Sequence, residues 1–308
     1  SVGPPSKKGA LINTGSGWRH DPAYIPPKPL STKIGADQEN DKFYYNRGAH
    51  FVDLNGDGRV DILYASKKYD EKYFYVYMNT GSGWAFKEGV DDSIGLDQRK
   101  PVGQSYLPPN DIPLADKYSN ETGARLIDVN GDGLVDYVYH IADHNGTTIF
   151  KGAYLNTGSG WQTVSSQEFE PPIALARTGF PAESNSQSKQ YTYYYTGAKY
   201  TDVNSDGLPD FLYSAHHADC GGDINFADNS KWVRDAYVNT GTGYIQNHNY
   251  LPPYIFASHV QGADLKHCLP YHLVYDINWN GKPAYDTTET FRSSHGIFYV
   301  DINGDGLS

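Results

Sequence analysis

The chain is poor in sulfur and in uninterrupted apolar sequence: 308 residues contain two cysteines and one methionine. One disulfide is the most it can form. No stretch approaches the roughly 20 apolar residues of a membrane-spanning helix. Positive charge is also short, with 25 Lys and Arg against 36 Asp and Glu and a net charge of −11. Nucleic acid calls for a basic surface, so this balance argues against it. No segment sustains a helical apolar period, because Pro and Gly interrupt most candidates. Catalytic signatures are missing as well: there is no Gly-x-Ser-x-Gly, no His-Glu-x-x-His and no phosphate loop. His140 and His144 flank a hairpin at Asn145-Gly146, and His216-His217 and His267…His272 lack metal-site spacing with Cys. Ser186-Gln-Ser-Lys189 matches a Ser-x-x-Lys pattern only within a polar, low-complexity loop.

What is present is repetition. Asp53-Leu-Asn55-Gly-Asp57-Gly58-Arg59-Val-Asp61 returns as Asp128-Val-Asn130-Gly-Asp132-Gly133-Leu134-Val-Asp136. It returns again as Asp202-Val-Asn204-Ser-Asp206-Gly207-Leu208-Pro-Asp210, and a fourth time as Asp301-Ile-Asn303-Gly-Asp305-Gly306-Leu307-Ser308. Side-chain oxygens at positions 1, 3, 5 and 9 of a tight loop suit a hard cation such as calcium. The carbonyl of position 7 (Arg59, Leu134, Leu208, Leu307) is the expected fifth protein ligand. An EF-hand is excluded, because position 12 is Tyr64, Tyr139 and Tyr213 where that loop needs a carboxylate. The Asp residues of the four loops carry charge equal to the whole acid excess. Close carboxylates repel unless a cation lies between them, so three to four Ca²⁺ are expected.

A second motif alternates with the first. Asn13-Thr-Gly-Ser-Gly-Trp18 recurs at Asn79–Trp84 and Asn156–Trp161, and as Asn239-Thr-Gly-Thr-Gly-Tyr244. Acidic motifs start 75, 74 and 99 residues apart, and Asn-Thr-Gly motifs 66, 77 and 83 apart. Around them lie short Tyr-, Val-, Ile- and Phe-rich runs that favour a pleated surface. Four short antiparallel strands per unit, joined by the two motifs, read as a propeller blade. The expected fold is an all-β propeller of four-stranded antiparallel blades over 1–308. Its units are 1–47 (partial), 48–122, 123–196, 197–295 and 296–308 (partial).

These motifs resemble the FG-GAP/VCBS-type calcium-binding blades of integrin-like and bacterial surface propellers. The pairing of Gly123-Ala-Arg-Leu-Ile-Asp-Val-Asn-Gly-Asp-Gly133 with Ala153-Tyr-Leu-Asn-Thr-Gly-Ser-Gly-Trp161 more narrowly resembles the propeller regions of secreted SpvB, Tc-toxin B-component and Rhs-like proteins. The resemblance implies an extracellular, secreted or surface-displayed protein. The YD repeats and toxin cargo of the Rhs group are absent from these residues.

Two segments depart from the repeat. Residues 218–230 expand a hairpin, and residues 245–296 include the degenerate loop Tyr275-Asp276-Ile-Asn278-Trp-Asn280-Gly281, with Ala284 at its ninth position. Cys220 and Cys268 lie in these segments; a disulfide between them and two free thiols are both open. Within them, the surroundings of Cys220–Ser230 and Cys268–Tyr285 are the expected contact surface for a protein partner or a neighbouring copy. Asn120 and Asn145 head N-glycosylation sequons. The ends admit two readings, a fragment of a longer chain or one blade shared between the termini. Function likewise divides. A non-enzymatic scaffolding, adhesion or encapsulating module is the first reading. A lectin or polysaccharide-cleaving propeller is the second, with Trp18, Trp84, Trp161 and Tyr244 as sugar-stacking platforms.

Overall fold

A computed structural model describes residues 9–34, 43–46, 48–68, 71–116, 121–143, 146–164, 167–178, 193–219, 232–254, 256–261 and 291–294. The described residues are all-β, with short 3₁₀ turns as the only helical elements. No helix among them is long and apolar enough to cross a membrane.

Two hairpins come first: β1 (Leu11–Asn13) with β2 (Trp18–His20), and β3 (Ser31–Ile34) with β4 (Phe43–Asn46). The first full unit is a meander of β5 (Ala49–Val52), β6 (Asp61–Lys68), β7 (Glu71–Asn79) and β8 (Trp84–Asp91), edged by the short β9 (Leu96–Asp97). The second runs β10 (Ala124–Ile127), β11 (Asp136–Ala142), β12 (Thr148–Asn156) and β13 (Trp161–Thr163), followed by the hairpin β14 (Ala176–Thr178) and β15 (Tyr193–Tyr195). The third runs β16 (Ala198–Thr201), β17 (Asp210–Asp219), β18 (Trp232–Asn239) and β19 (Tyr244–Gln246), followed by β20 (Ala257–Gln261) and β21 (Phe291–Ser294). The four antiparallel strands expected per unit are therefore present three times. In these three units the acidic motif joins the first strand to the second, and the Asn-Thr-Gly motif joins the third to the fourth.

One pairing was not legible in the strand pattern. After each meander the chain returns and runs parallel to the second strand: β14 beside β11, and β20 beside β17. In the first unit the same contact shrinks to a bridge from Ser66 to Ala115. A third repeat marks the return. Pro26-Pro27, Pro108-Pro109, Pro171-Pro172 and Pro252-Pro253 alternate in strict order with the other two motifs. A few residues after each of the last three, an amide closes onto the second strand: Leu114 N–H to Ala65 O, Leu175 to His140 O and Phe256 to Ser214 O. Proline pairs hold the approach extended and withhold two backbone donors. Within 245–296 the described strands keep the repeat, while the degenerate loop at 275–284 lies outside the described residues. β20 and β21 pair as β14 and β15 do, and residues 262–290 between them lie outside the described residues.

Second strands are the most deeply buried. Ile62, Leu63, Tyr64 and Ala65 are inaccessible to solvent, as are Tyr137, Val138 and Phe211. A strand covered on both faces reads as a continuous apolar run. The largest cluster spans two units, joining Leu63, Phe74 and Val76 through the linker residues Tyr106, Leu107 and Leu114 to Tyr137, Tyr139 and Trp161. Removing such a buried side chain, as in Leu63→Ala, costs about 2–5 kcal/mol. Among the described residues the sheets pack together without closing into a ring or barrel.

Candidate cation loops

The three described acidic loops fold the same way, because each polar side chain at positions 1, 3 and 5 is held by amides further along its own loop. Asp53 Oδ1 accepts from Gly56 N–H at 2.8 Å and Oδ2 from Gly58 N–H at 2.7 Å. Asn55 Oδ1 accepts from Asp57 N–H, and Asp57 Oδ1 from Arg59 N–H. The set repeats with Asp128, Asn130 and Asp132 on Gly131, Gly133, Asp132 and Leu134 N–H. It repeats again with Asp202, Asn204 and Asp206 on Ser205, Gly207, Asp206 and Leu208 N–H. Position 6 has φ of +80° to +87° at Gly58, Gly133 and Gly207, where a residue without Cβ turns the chain at little cost.

The ninth residue behaves differently. Asp61, Asp136 and Asp210 are fully buried and face two backbone donors each. Oδ2 accepts from the position-2 amide, Leu54, Val129 or Val203, at 2.9–3.0 Å. Oδ1 accepts from the first amide of the Asn-Thr-Gly motif, Asn79, Asn156 or Asn239, at 2.7–2.8 Å. This aspartate therefore locks the two motifs together. Burial raises its pKa in all three units against the lowering effect of these amides, in Asp136 to about 7.

The donor set is all oxygen, which suits calcium and does not suit zinc. Positions 1, 3 and 5 are preformed by these amides, and Asp128 Oδ1 and Asp57 Oδ2 accept a second hydrogen bond each. Among the described residues no three His, Cys, Asp or Glu side chains converge as a cation cage. The shortfall has a physical cause: each loop places two carboxylates and an amide in its turn, while the third carboxylate points inward to backbone. The first loop also carries its own counter-charge, since Arg59 Nη1 lies 2.9 Å from Asp57 Oδ2. The fourth loop (Asp301, Asn303, Asp305, Leu307), Cys220, Cys268, Asn120 and Asn145 lie outside the described residues.

The aromatic ending each Asn-Thr-Gly motif is a packing residue wherever a linker reaches it. Trp161 is 4% exposed and meets Tyr106 and Tyr137 edge-on at 5.9 and 5.6 Å. Trp84 meets Tyr24 at 6.0 Å, and Tyr244 meets Phe211 at 6.4 Å. Trp18 is 70% exposed. His140 is buried with both ring nitrogens engaged, by Pro171 O at 2.8 Å and Thr148 Oγ1 at 2.9 Å.

Two residues absent from the sequence-derived set shape the region. Glu88 is buried and takes the amides of Lys100 and Tyr106 and the hydroxyl of Ser105, pinning the linker between units. Tyr106 is buried beside it with an unpartnered hydroxyl. Burial first, then the charges of Asp61, Glu88 and Asp53, push that hydroxyl up to about 12. Glu88 does not repeat between units, whereas Tyr106 stands two residues before its proline pair as Tyr24 and Tyr250 do, so the period of the proline pairs is the signal that could have found it.

No family model matches the chain, and no curated protein matches it. Among solved structures, a chain of the Photorhabdus luminescens Tc holotoxin pore matches at 14% identity, over 65% of this chain and 12% of that chain, with a TM-score of 0.16. This chain thus spans about an eighth of the toxin chain, and a likeness at that score carries no conclusion on fold or role.

Proposed function

We propose that the chain is a non-catalytic, calcium-stabilised extracellular β-propeller module that serves scaffolding, adhesion or protein–protein assembly. The observation that carries this reading is the threefold recurrence of one amide-lined acidic loop at the same joint of the same meander. A solvated turn has no reason to repeat its hydrogen bonds in register. Calcium would be held by Asp53, Asn55 and Asp57, by Asp128, Asn130 and Asp132, and by Asp202, Asn204 and Asp206. The carbonyls of Arg59, Leu134 and Leu208, and Asp61, Asp136 and Asp210 from the inner side, would complete the sets. Asp301, Asn303, Asp305 and Leu307 would begin a fourth. The bound ion supplies positive charge that offsets carboxylate repulsion and fixes the turn. The units 48–122, 123–196 and 197–295 would be blades, since each second strand is covered on both faces as neighbouring blades require.

Calorimetry tests this directly. Uptake of three to four calcium ions, with dissociation constants of about 0.1–1 mM, is the expected result. Asp132→Ala should remove one ion and leave the strand content intact. No uptake at 10 mM calcium would end the calcium reading. A glycan-binding reading has one observation in its favour, the exposed indole of Trp18. A glycan-array signal that Trp18→Ala abolishes would support it.

A further inference from the structure

We propose that Asn156 and Asn239 couple neighbouring acidic loops through a continuous buried hydrogen-bond relay, so that ordering one loop orders the next. Each begins an Asn-Thr-Gly turn, and each reaches out of its own unit. Asn156 Nδ2 donates to Leu54 O at 2.8 Å, across 102 residues of sequence. Asn239 Nδ2 donates to Val129 O at 2.7 Å, across 110. Both acceptors are position-2 carbonyls of the preceding acidic loop. Leu54 and Val129 already give their own N–H groups to the ninth-position aspartate. The relay passes from residue to residue, with the covalent bonds of Leu54 and Asn156 joining successive hydrogen bonds: Asn79 N–H to Asp61, Leu54 N–H to Asp61, Asn156 Nδ2 to Leu54 O, Asn156 N–H to Asp136. It continues with Val129 N–H to Asp136, Asn239 Nδ2 to Val129 O, Asn239 N–H to Asp210 and Val203 N–H to Asp210.

Asp61, Asp136, Asp210, Asn156 and Asn239 are all buried, so water does not compete for these bonds. Losing one buried link strands both a donor and an acceptor. A second contact runs alongside. A Cβ added at Gly56 would lie 2.8 Å from Leu134 Cδ2, and one at Gly131 would lie 2.6 Å from Leu208 Cδ2. Position 7 of the second and third loops thus sits on position 4 of the loop before it. The carbonyl taken by Asn156 belongs to the peptide leading into Asn55. A cation that fixes the turn at Asn55 therefore also fixes the acceptor of Asn156. Asn156 in turn holds Asp136 in the next loop. Part of the ordering cost of the second loop is then met by the first, which is a positive coupling and acts equally in both directions.

Asn79 is a control built into the chain. It starts the same turn, but its Nδ2 reaches Val60 O of its own unit at 3.1 Å. In all three residues Oδ1 accepts from the second amide along the turn, Gly81, Gly158 or Gly241. Asn→Asp keeps that acceptor and deletes the donor.

The experiment is hydrogen–deuterium exchange on the whole chain in EGTA, comparing Asn156→Asp, Asn239→Asp and Asn79→Asp. Asn156→Asp should speed exchange across residues 53–58, in the neighbouring unit, by about tenfold, the equivalent of one lost hydrogen bond. Asn239→Asp should do the same across 128–133. Asn79→Asp adds the same charge and should leave the neighbouring unit unchanged. Asn156→Ser, neutral and too short to reach Leu54, should match Asn156→Asp and covers the case in which the acidic variant does not fold. Unaltered exchange in the neighbouring loop overturns the relay. So does an Asn79→Asp effect that spreads as far. A calcium titration forms a separate arm, because the proposal's consequence for uptake rests on the cation reading above. Wild-type uptake with a Hill coefficient above 1 that falls to 1 in Asn156→Asp supports the coupling. Steps that are independent in the wild type count against it. Absence of uptake overturns the calcium reading, and the exchange arm then decides the relay by itself.

Discussion

Arg59 makes the first acidic loop unlike the other two. Leu134 and Leu208 occupy its position in the other loops, while its guanidinium pairs with Asp57. The Arg59 amide is the largest influence lowering the Asp57 pKa, and the guanidinium lowers it further. A resident cation at that carboxylate competes with calcium, so the first loop should bind most weakly. Arg59→Leu should tighten it by roughly two- to fivefold, a modest change because exposed ion pairs are weak. Site-resolved calcium titration would show it. The ninth-position aspartates make a second prediction, on pH. Asp136 ionises near pH 7 in the folded chain because burial penalises its charge, against about 3.9 unfolded. Its contribution to stability is complete below the unfolded value and is lost as pH rises through about 7. In EGTA the melting temperature should therefore fall between pH 5 and pH 8. Calcium nearby favours the carboxylate and should flatten that slope.

At the scale of the element, the same motif meets different surroundings. Trp18 and Trp161 end identical Asn-Thr-Gly-Ser-Gly turns, yet Trp161 lies under a linker and Trp18 does not. Trp161→Ala should cost about 3–5 kcal/mol, and Trp18→Ala less than about 0.5. Urea unfolding measures both. Gly131 combines φ of +76° with the approach of Leu208, so Gly131→Ala should cost about 1–3 kcal/mol. Ser205 holds the equivalent position at φ of +62°, so the backbone there admits a side chain. The penalty at Gly131 should therefore fall when Leu208 is shortened to Ala. The strands and both turns were legible because each depends on neighbours a few residues away. The parallel return strands were not, since nothing in Ala176–Thr178 or Ala257–Gln261 names β11 or β17 as a partner. The proline pairs were the signal that could have found them.

At the scale of the whole molecule, stability should follow calcium. A site with a dissociation constant near 1 mM adds about 1.4 kcal/mol at 10 mM calcium. Three such sites add about 4 kcal/mol. Differential scanning calorimetry should show a higher melting temperature in calcium than in EGTA, and an unchanged one would count against the reading.

The sequence by itself determined the all-β character, the repeating meander and the place of each acidic loop. Those follow from short-range chemistry: alternating β-formers, Gly at positive φ, and Asp and Asn bonded to amides two to five residues onward. Only the tertiary structure decided what the ninth-position aspartate and the first asparagine of the second motif do. Spacing places Asp61, Asp136 and Asp210 at the ninth positions of their own loops and Asn156 and Asn239 at the start of turns, and names no second role for any of them. In the fold the aspartates hold two motifs together, and the asparagines cross to the neighbouring unit. Those partners lie up to 110 residues away and become available only when packed units exclude water from between them.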